Sequence, residues 1–227
     1  MIKSVATIVA AASFGLLSTT AVMADGPAPA VVMTPIAPPP AMDWTGPYAG
    51  LLVSANNGSY GNETNFPGDG EGDLTGNGYG AVVGYNLQSG NTIYGGEVTY
   101  SSLNVEGAEE CVNPSFECGA EVDGLATVRA RVGMAAGPSA MFYATAGWAS
   151  ADATVYTDGP IGDNGETKRI NGMVYGVGFE RAISNRFSVR GAILRHDFQE
   201  DDYDTDVPYT DVDIDFTSIE LGGILRF

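Results

Sequence analysis

Between Tyr79 and Leu87 every second residue is apolar: Tyr79, Ala81, Val83, Tyr85 and Leu87, with Gly80, Val82, Gly84 and Asn86 in between. The same period runs through Val122, Gly124, Ala126, Val128, Ala130, Val132 and Met134, set against Glu121, Asp123, Leu125, Thr127, Arg129 and Arg131. A third run places Tyr175, Val177 and Phe179 against Gly176, Gly178 and Glu180. A period of two with one apolar face predicts strands. Eight such segments can be drawn, near 46–56, 76–88, 91–103, 121–136, 140–155, 169–183, 186–198 and 214–227. From Trp44 onward no run of 18 apolar residues occurs, so the pattern predicts no membrane-spanning helix there.

The connections between these segments alternate in length. Short ones fall near Ser89-Gly90, Gly137-Pro138 and Ser184-Asn185, with residues suited to tight turns. Long ones cover 57–75, 104–120, 156–168 and 199–213 and are rich in Gly, Asn and Asp. An even number of strands with short and long connections in alternation is the layout of a bacterial outer-membrane barrel. The expected fold is therefore all-β, an up-and-down, eight-stranded antiparallel transmembrane β-barrel over 44–227. Both termini would then lie on the short-turn, periplasmic side. A soluble β-sandwich also has alternating strands, but it gives no reason for the regular change in connection length.

Composition sharpens this. The formal net charge is −18, from 28 acids against 10 Lys and Arg. That balance excludes a nucleic-acid partner, which needs a basic face to displace counterions. Eighteen of the acids fall in the four long connections, where water and cations can solvate them. One His and two Cys leave little with which to build a metal or haem site, so no cofactor is expected. At the amino terminus Lys3, the apolar run Val5–Leu17 and the small-residue site Val22-Met23-Ala24 read as a signal peptide, 1–24. The Pro- and Ala-rich segment 25–43 reads as an extended periplasmic tether.

Three stretches carry a family likeness: Trp44-Thr-Gly-Pro-Tyr-Ala-Gly50, Val177 to Arg190 continuing through Arg195-His-Asp-Phe198, and Leu221-Gly-Gly-Ile-Leu-Arg-Phe227. Together they resemble the small eight-stranded outer-membrane barrels of alphaproteobacterial surface antigens, akin to the outer-membrane protein A transmembrane domain. The resemblance implies insertion by the barrel-assembly machinery, which would read the last strand and its terminal Phe227. It implies no single biochemical activity.

An eight-stranded barrel is just wide enough to be filled by side chains. The alternation sends Glu97, Glu121, Asp123, Glu180 and Glu220 into the lumen with Arg129, Arg131, Arg190 and Arg226, so a paired charge network is expected there. Tyr48, Tyr85, Tyr94, Tyr100, Trp148, Phe179, Phe187 and Phe227 are expected outside, at the two water–lipid interfaces. Cys111 and Cys118, in the second long connection, suit a loop disulfide formed in an oxidising periplasm. Asp202, Asp204, Asp206 and Asp213 have the spacing of a calcium loop, but Val207 stands where that loop needs Gly. Weak, delocalised divalent-cation binding at the acidic loops, bridging to anionic surface lipid, fits them better. His196 is the only candidate general base, expected at the outer end of the lumen with no hydroxyl two residues on. The reading that follows is a non-catalytic, structural barrel that contacts outer-membrane lipid and lipopolysaccharide and displays acidic loops. The alternatives are a narrow channel, a lipid-A-modifying enzyme and an adhesin.

Overall fold

The computed structural model describes residues 41–160 and 162–227; the expected signal peptide and the tether up to residue 40 lie outside this range. Nine strands occur among the described residues: β1 Gly46–Gly61, β2 Gly72–Ser89, β3 Thr92–Glu110, β4 Glu117–Ala136, β5 Ala140–Gly159, β6 Gly162–Ala182, β7 Phe187–Phe198, β8 Asp201–Asp204 and β9 Pro208–Arg226. Eight of them form an antiparallel ring in chain order, closed by β1 on β9, with Tyr48 opposite Arg226 and Leu51 opposite Gly223. The short β8 folds back on the start of β9, pairing Tyr203 with Tyr209, and stands outside the ring order. A closed ring leaves no strand edge facing the hydrocarbon, as an apolar solvent requires.

The strands are longer than the alternation suggested. A strand crosses a bilayer in about 9–11 residues, yet β4, β5 and β6 contain 20, 20 and 21. The added length lies at the long-connection end and takes in much of what reads as loop in the sequence. Asp73, Glu106, Glu109, Glu110, Glu117, Asp158 and Glu166 all lie on strands. The cause is a reversal of polarity along the barrel axis. In the half nearer the short turns the outer face carries Leu51, Val83, Val132, Val177 and Leu221, each about half exposed or more. Further up, the outer face turns polar, with Asn57, Thr75, Asn104, Thr167 and Arg169, and the apolar residues point inward. A strand exposed to water outside and packed inside has the same period as a lipid-facing one but the opposite sense.

An apolar cluster at each end, a smaller one of Tyr48, Leu52, Val82 and Ile224, and one charged layer fill the interior. Trp44, Ile93, Met141 and Tyr143 pack at the short-turn end with Met42. Residues 41–45 cross that end: the Met42 amide donates to the Pro138 carbonyl at 2.8 Å and the Trp44 amide to the Gln88 side chain at 2.8 Å. The upper cluster runs from Leu74, Val105, Val122 and Val155 to Ile214 and Phe216. Phe66 closes it at the top, fully buried, its ring 4.6 Å from that of Tyr209. The turn carrying Phe66 is held by Asn62, whose Oδ1 accepts from the amides of Thr64, Asn65 and Phe66 at 3.1, 2.9 and 2.9 Å. Cys111 and Cys118 are joined by a disulfide beside this cluster.

Candidate functional site

The charged layer lies between the short-turn floor and the upper apolar cluster, on β3, β4, β6, β7 and β9. Glu97 of β3 is its centre. Arg129 and Arg190 each approach one of its carboxylate oxygens at 2.8 Å, and Arg131 lies at 3.5 Å. The Tyr48 hydroxyl donates to the same carboxylate at 2.8 Å and itself accepts from Arg131 at 3.1 Å. A second node is Glu180, bonded by Arg131 at 3.2 Å, by the Ser188 hydroxyl at 2.6 Å, and by Arg226. Glu220 is looser, 3.5 Å from Arg129 and 3.9 Å from Arg190.

Aromatic rings flank the guanidinium groups. Arg131 lies 3.9 Å from the centre of the Tyr143 ring, and Arg226 lies 3.9 Å from that of Trp44. Such stacking suits the planar, weakly hydrated guanidinium better than it would an ammonium. Two inward glycines make room for the rings. A Cβ on Gly84 would lie 2.4 Å from Tyr48 ring atoms, and one on Gly178 would lie 2.2 Å from those of Tyr143.

Two of the expected lumen acids are elsewhere. Asp123 is exposed on the outer wall, and Glu121 is half-buried facing outward, paired with the outward Glu106. The register shifts between Val122 and Gly124, a bulge that changes which face each residue of β4 takes. Below the bulge Leu125, Thr127, Arg129 and Arg131 point inward; above it Val122 and Ala120 do. Seven of the nine expected lumen residues therefore share the layer, three glutamates against four arginines. Tyr48, expected on the lipid face, is buried at 3% exposure inside the network. Trp44, Tyr143 and Ser188 join it without having been anticipated. Tyr48 shares its strand phase with Gly50 and Asn56, which is the signal that marks it as inward.

His196 is not at the barrel mouth. It is fully buried, its ring 4.7 Å from that of Phe216, and both ring nitrogens lack a hydrogen-bond partner among the described residues. A general base needs a group to receive or supply its proton at hydrogen-bond range, and none lies there among the described residues. The aspartates with calcium-loop spacing fall on β8, its turn and β9, and no group of three or more metal-type ligands converges among the described residues. On the outer wall of the same end, partial burial and repulsion from Asp215, Glu200 and Asp197 raise the carboxyl pKa of Asp213, while burial and Asp197 raise that of Asp215 against the pull of Arg195. A raised pKa in the folded state means the repulsion is absent below the usual carboxylate range and grows as pH rises through the raised value. Asp213→Asn is therefore expected to stabilise the barrel at pH 7 by roughly 0.5 kcal/mol, with the gain vanishing near pH 3. Thermal unfolding in detergent at the two pH values measures it, and an equal gain at both would refute the electrostatic cause.

A family model described as the outer membrane protein beta-barrel domain matches residues 16–227. The chain belongs to that family. This outer-membrane barrel is 28% identical over 243 residues to the 31 kDa outer-membrane immunogenic protein of Brucella melitensis, covering 97% of the chain and 99% of the relative. It is 31% identical over 188 residues to a 22 kDa outer membrane protein of Rhizobium leguminosarum bv. viciae, covering 83% and 80% of the two chains. Among solved structures, the crystal structure of Neisserial surface protein A is similar at a TM-score of 0.46 and 13% identity, covering 81% of this chain and 98% of the other.

Proposed function

We propose that this outer-membrane barrel is a structural envelope protein, without catalytic activity and without an open pore, that presents an acidic, strand-built wall outside the cell. The observation that carries the reading is the filled interior: a paired Arg–Glu layer lies between the Trp44 floor and an apolar cluster capped by Phe66. A continuous water path for ions would have to pass through both apolar clusters. The short turns and both termini then face the periplasm, and β9, followed by the 76% exposed Phe227, is the strand the barrel-assembly machinery would read. The immunogenic Brucella relative supports exposure of the opposite end at the surface.

Purified protein in planar bilayers is expected to give no discrete conductance. Cells lacking it are expected to become more sensitive to detergent and chelator. Steady unitary currents that change in Arg129→Ala or Arg131→Ala would establish a channel instead. Cleavage of a protease site placed between Thr205 and Val207 on intact cells checks the orientation.

A further inference from the structure

The lipid-facing wall is not evenly clad. On β7 and β9 the outward positions 191 and 223 are glycines among bulky neighbours, and each lies in a row across the sheet. Phe179, Gly191, Leu221 and Val53 form one row; Arg181, Val189, Gly223 and Leu51 form the next. Two adjoining shallow apolar depressions of about 860 and 700 Å³ share Phe179, Gly191 and Leu221; the larger reaches as far as Val132 and Phe142, and the smaller includes Gly223. Space remains at the centre: a Cβ built on Gly191 meets nothing nearer than Leu221 Cδ2 at 3.5 Å.

Arg181 lines the smaller hollow. It lies one residue before the end of β6, beside the short turn to β7, in the same cross-strand row as Gly223, and Gly191 lies in the next row away from that turn. The hollow thus runs from an arginine at the water–lipid edge into the apolar belt. Arg186, in the same turn, is also exposed. The chain has only 10 Lys and Arg. Of the described surface cations, Lys168, Arg169 and Arg195 are each paired to a carboxylate on the upper wall. Arg181 and Arg186 make no ion pair among the described residues.

We infer that this groove is a binding site for one anionic phospholipid of the leaflet at the short-turn end, with an acyl chain along Gly191 and Gly223 and its phosphate on Arg181 and Arg186. The apolar hollow accounts for the tail. Arg181 at the hollow's edge, with Arg186 in the adjoining turn, accounts for the headgroup: among the described residues these are the surface arginines without an ion pair, and guanidinium matches phosphate in both charge and geometry. Assignment of that leaflet as the inner one rests on the orientation proposed above.

Native mass spectrometry of the full chain, refolded in detergent with equal amounts of phosphatidylglycerol and phosphatidylethanolamine of the same chain length, tests the site. The wild type is expected to retain one phosphatidylglycerol, in roughly tenfold preference over phosphatidylethanolamine. The double variant Arg181→Gln, Arg186→Gln is expected to lose that preference but still hold a lipid. Gly191→Leu, which fills the hollow, is expected to lose retention of both lipids. Each variant is first checked for the closed ring by its shift in gel mobility on boiling in SDS. Equal retention of the two lipids by the wild type would overturn the assignment, as would a preference that survives the double arginine substitution. Lipid held equally well by Gly191→Leu, or a dimer mass in place of bound lipid, would also overturn it. The readout does not depend on which way the barrel is inserted, so failure of the site and failure of the orientation are separate results.

Discussion

Glu97→Ala is expected to destabilise the barrel by about 3–5 kcal/mol, because it leaves buried charge without its partner. Arg129, Arg131 and Arg190 all lie within 3.5 Å of that one carboxylate. Removing it leaves two glutamates, Glu180 and Glu220, against four arginines in an enclosed space. Restoring the balance from the other side should recover part of the loss, so Glu97→Ala combined with Arg190→Met is expected to be more stable than Glu97→Ala alone. Glu220→Ala is expected to cost much less, since its contacts are 3.5 and 3.9 Å. Urea titration of the folded fraction in lipid vesicles, read from heat-modifiable gel mobility, gives all three values. If Glu97→Ala proved as mild as Glu220→Ala, the charged layer would be a loose lining rather than a network organised on one residue.

The second large effect concerns the upper half. Phe216 is fully buried among Phe198, His196 and the surrounding apolar cluster, with ring centres 5.8 Å away for Phe198 and 4.7 Å for His196. Truncating a buried aromatic to alanine leaves a cavity, and Phe216→Ala is expected to cost about 3–5 kcal/mol. Leu221→Ala, five positions along the same strand but 59% exposed on the lipid face, is expected to change stability far less. The usual expectation for a membrane barrel, polar inside and apolar outside, gives the opposite ranking. The same titration on the two variants decides between them: comparable losses, or a greater loss for Leu221→Ala, would mean that the upper cluster does not hold the wall together.

The contrast explains which parts of the architecture can be read from residue order. In the lower half each bulky outward residue, such as Tyr85 or Val177, sits between small or charged inward ones, and the alternation is loud. The ring of eight follows from it directly. In the upper half the outward residues are Asn57, Asp73, Thr154 or Asp215, the inward ones are often Ala or Val, and glycines are interspersed. Such stretches resemble polar loops, so strand extensions such as Gly72–Thr75 and Glu117–Ala120 are hidden. Charge pairing was legible because seven inward ionisable residues keep strict phase with the strand. Glu121 and Asp123 were misplaced by a single bulge residue, which no periodicity argument can detect when a charged residue occupies it. The aromatic members of the layer were obscured for another reason. Tyr48 and Tyr143 are amphipathic, and a tyrosine near a strand end serves equally well at a membrane interface or as a ring stacked on arginine.

The length of the strands has a further consequence. Twenty residues rising about 3.3 Å each, tilted by roughly 40°, reach about 50 Å, whereas an apolar band of about 25 Å suffices for the membrane. Half of the ring therefore stands beyond the band as a ladder of hydrogen-bonded strands. Its outward features join residues distant in sequence: Asp152 with Arg169, Thr154 with Thr167, Arg195 with Asp215. A short linear peptide cut from this chain would hold only one partner of each pair. An antibody raised against such a wall would recognise a folded mosaic and lose its target when the chain is boiled, so immunoblots of denatured protein would understate what intact cells present.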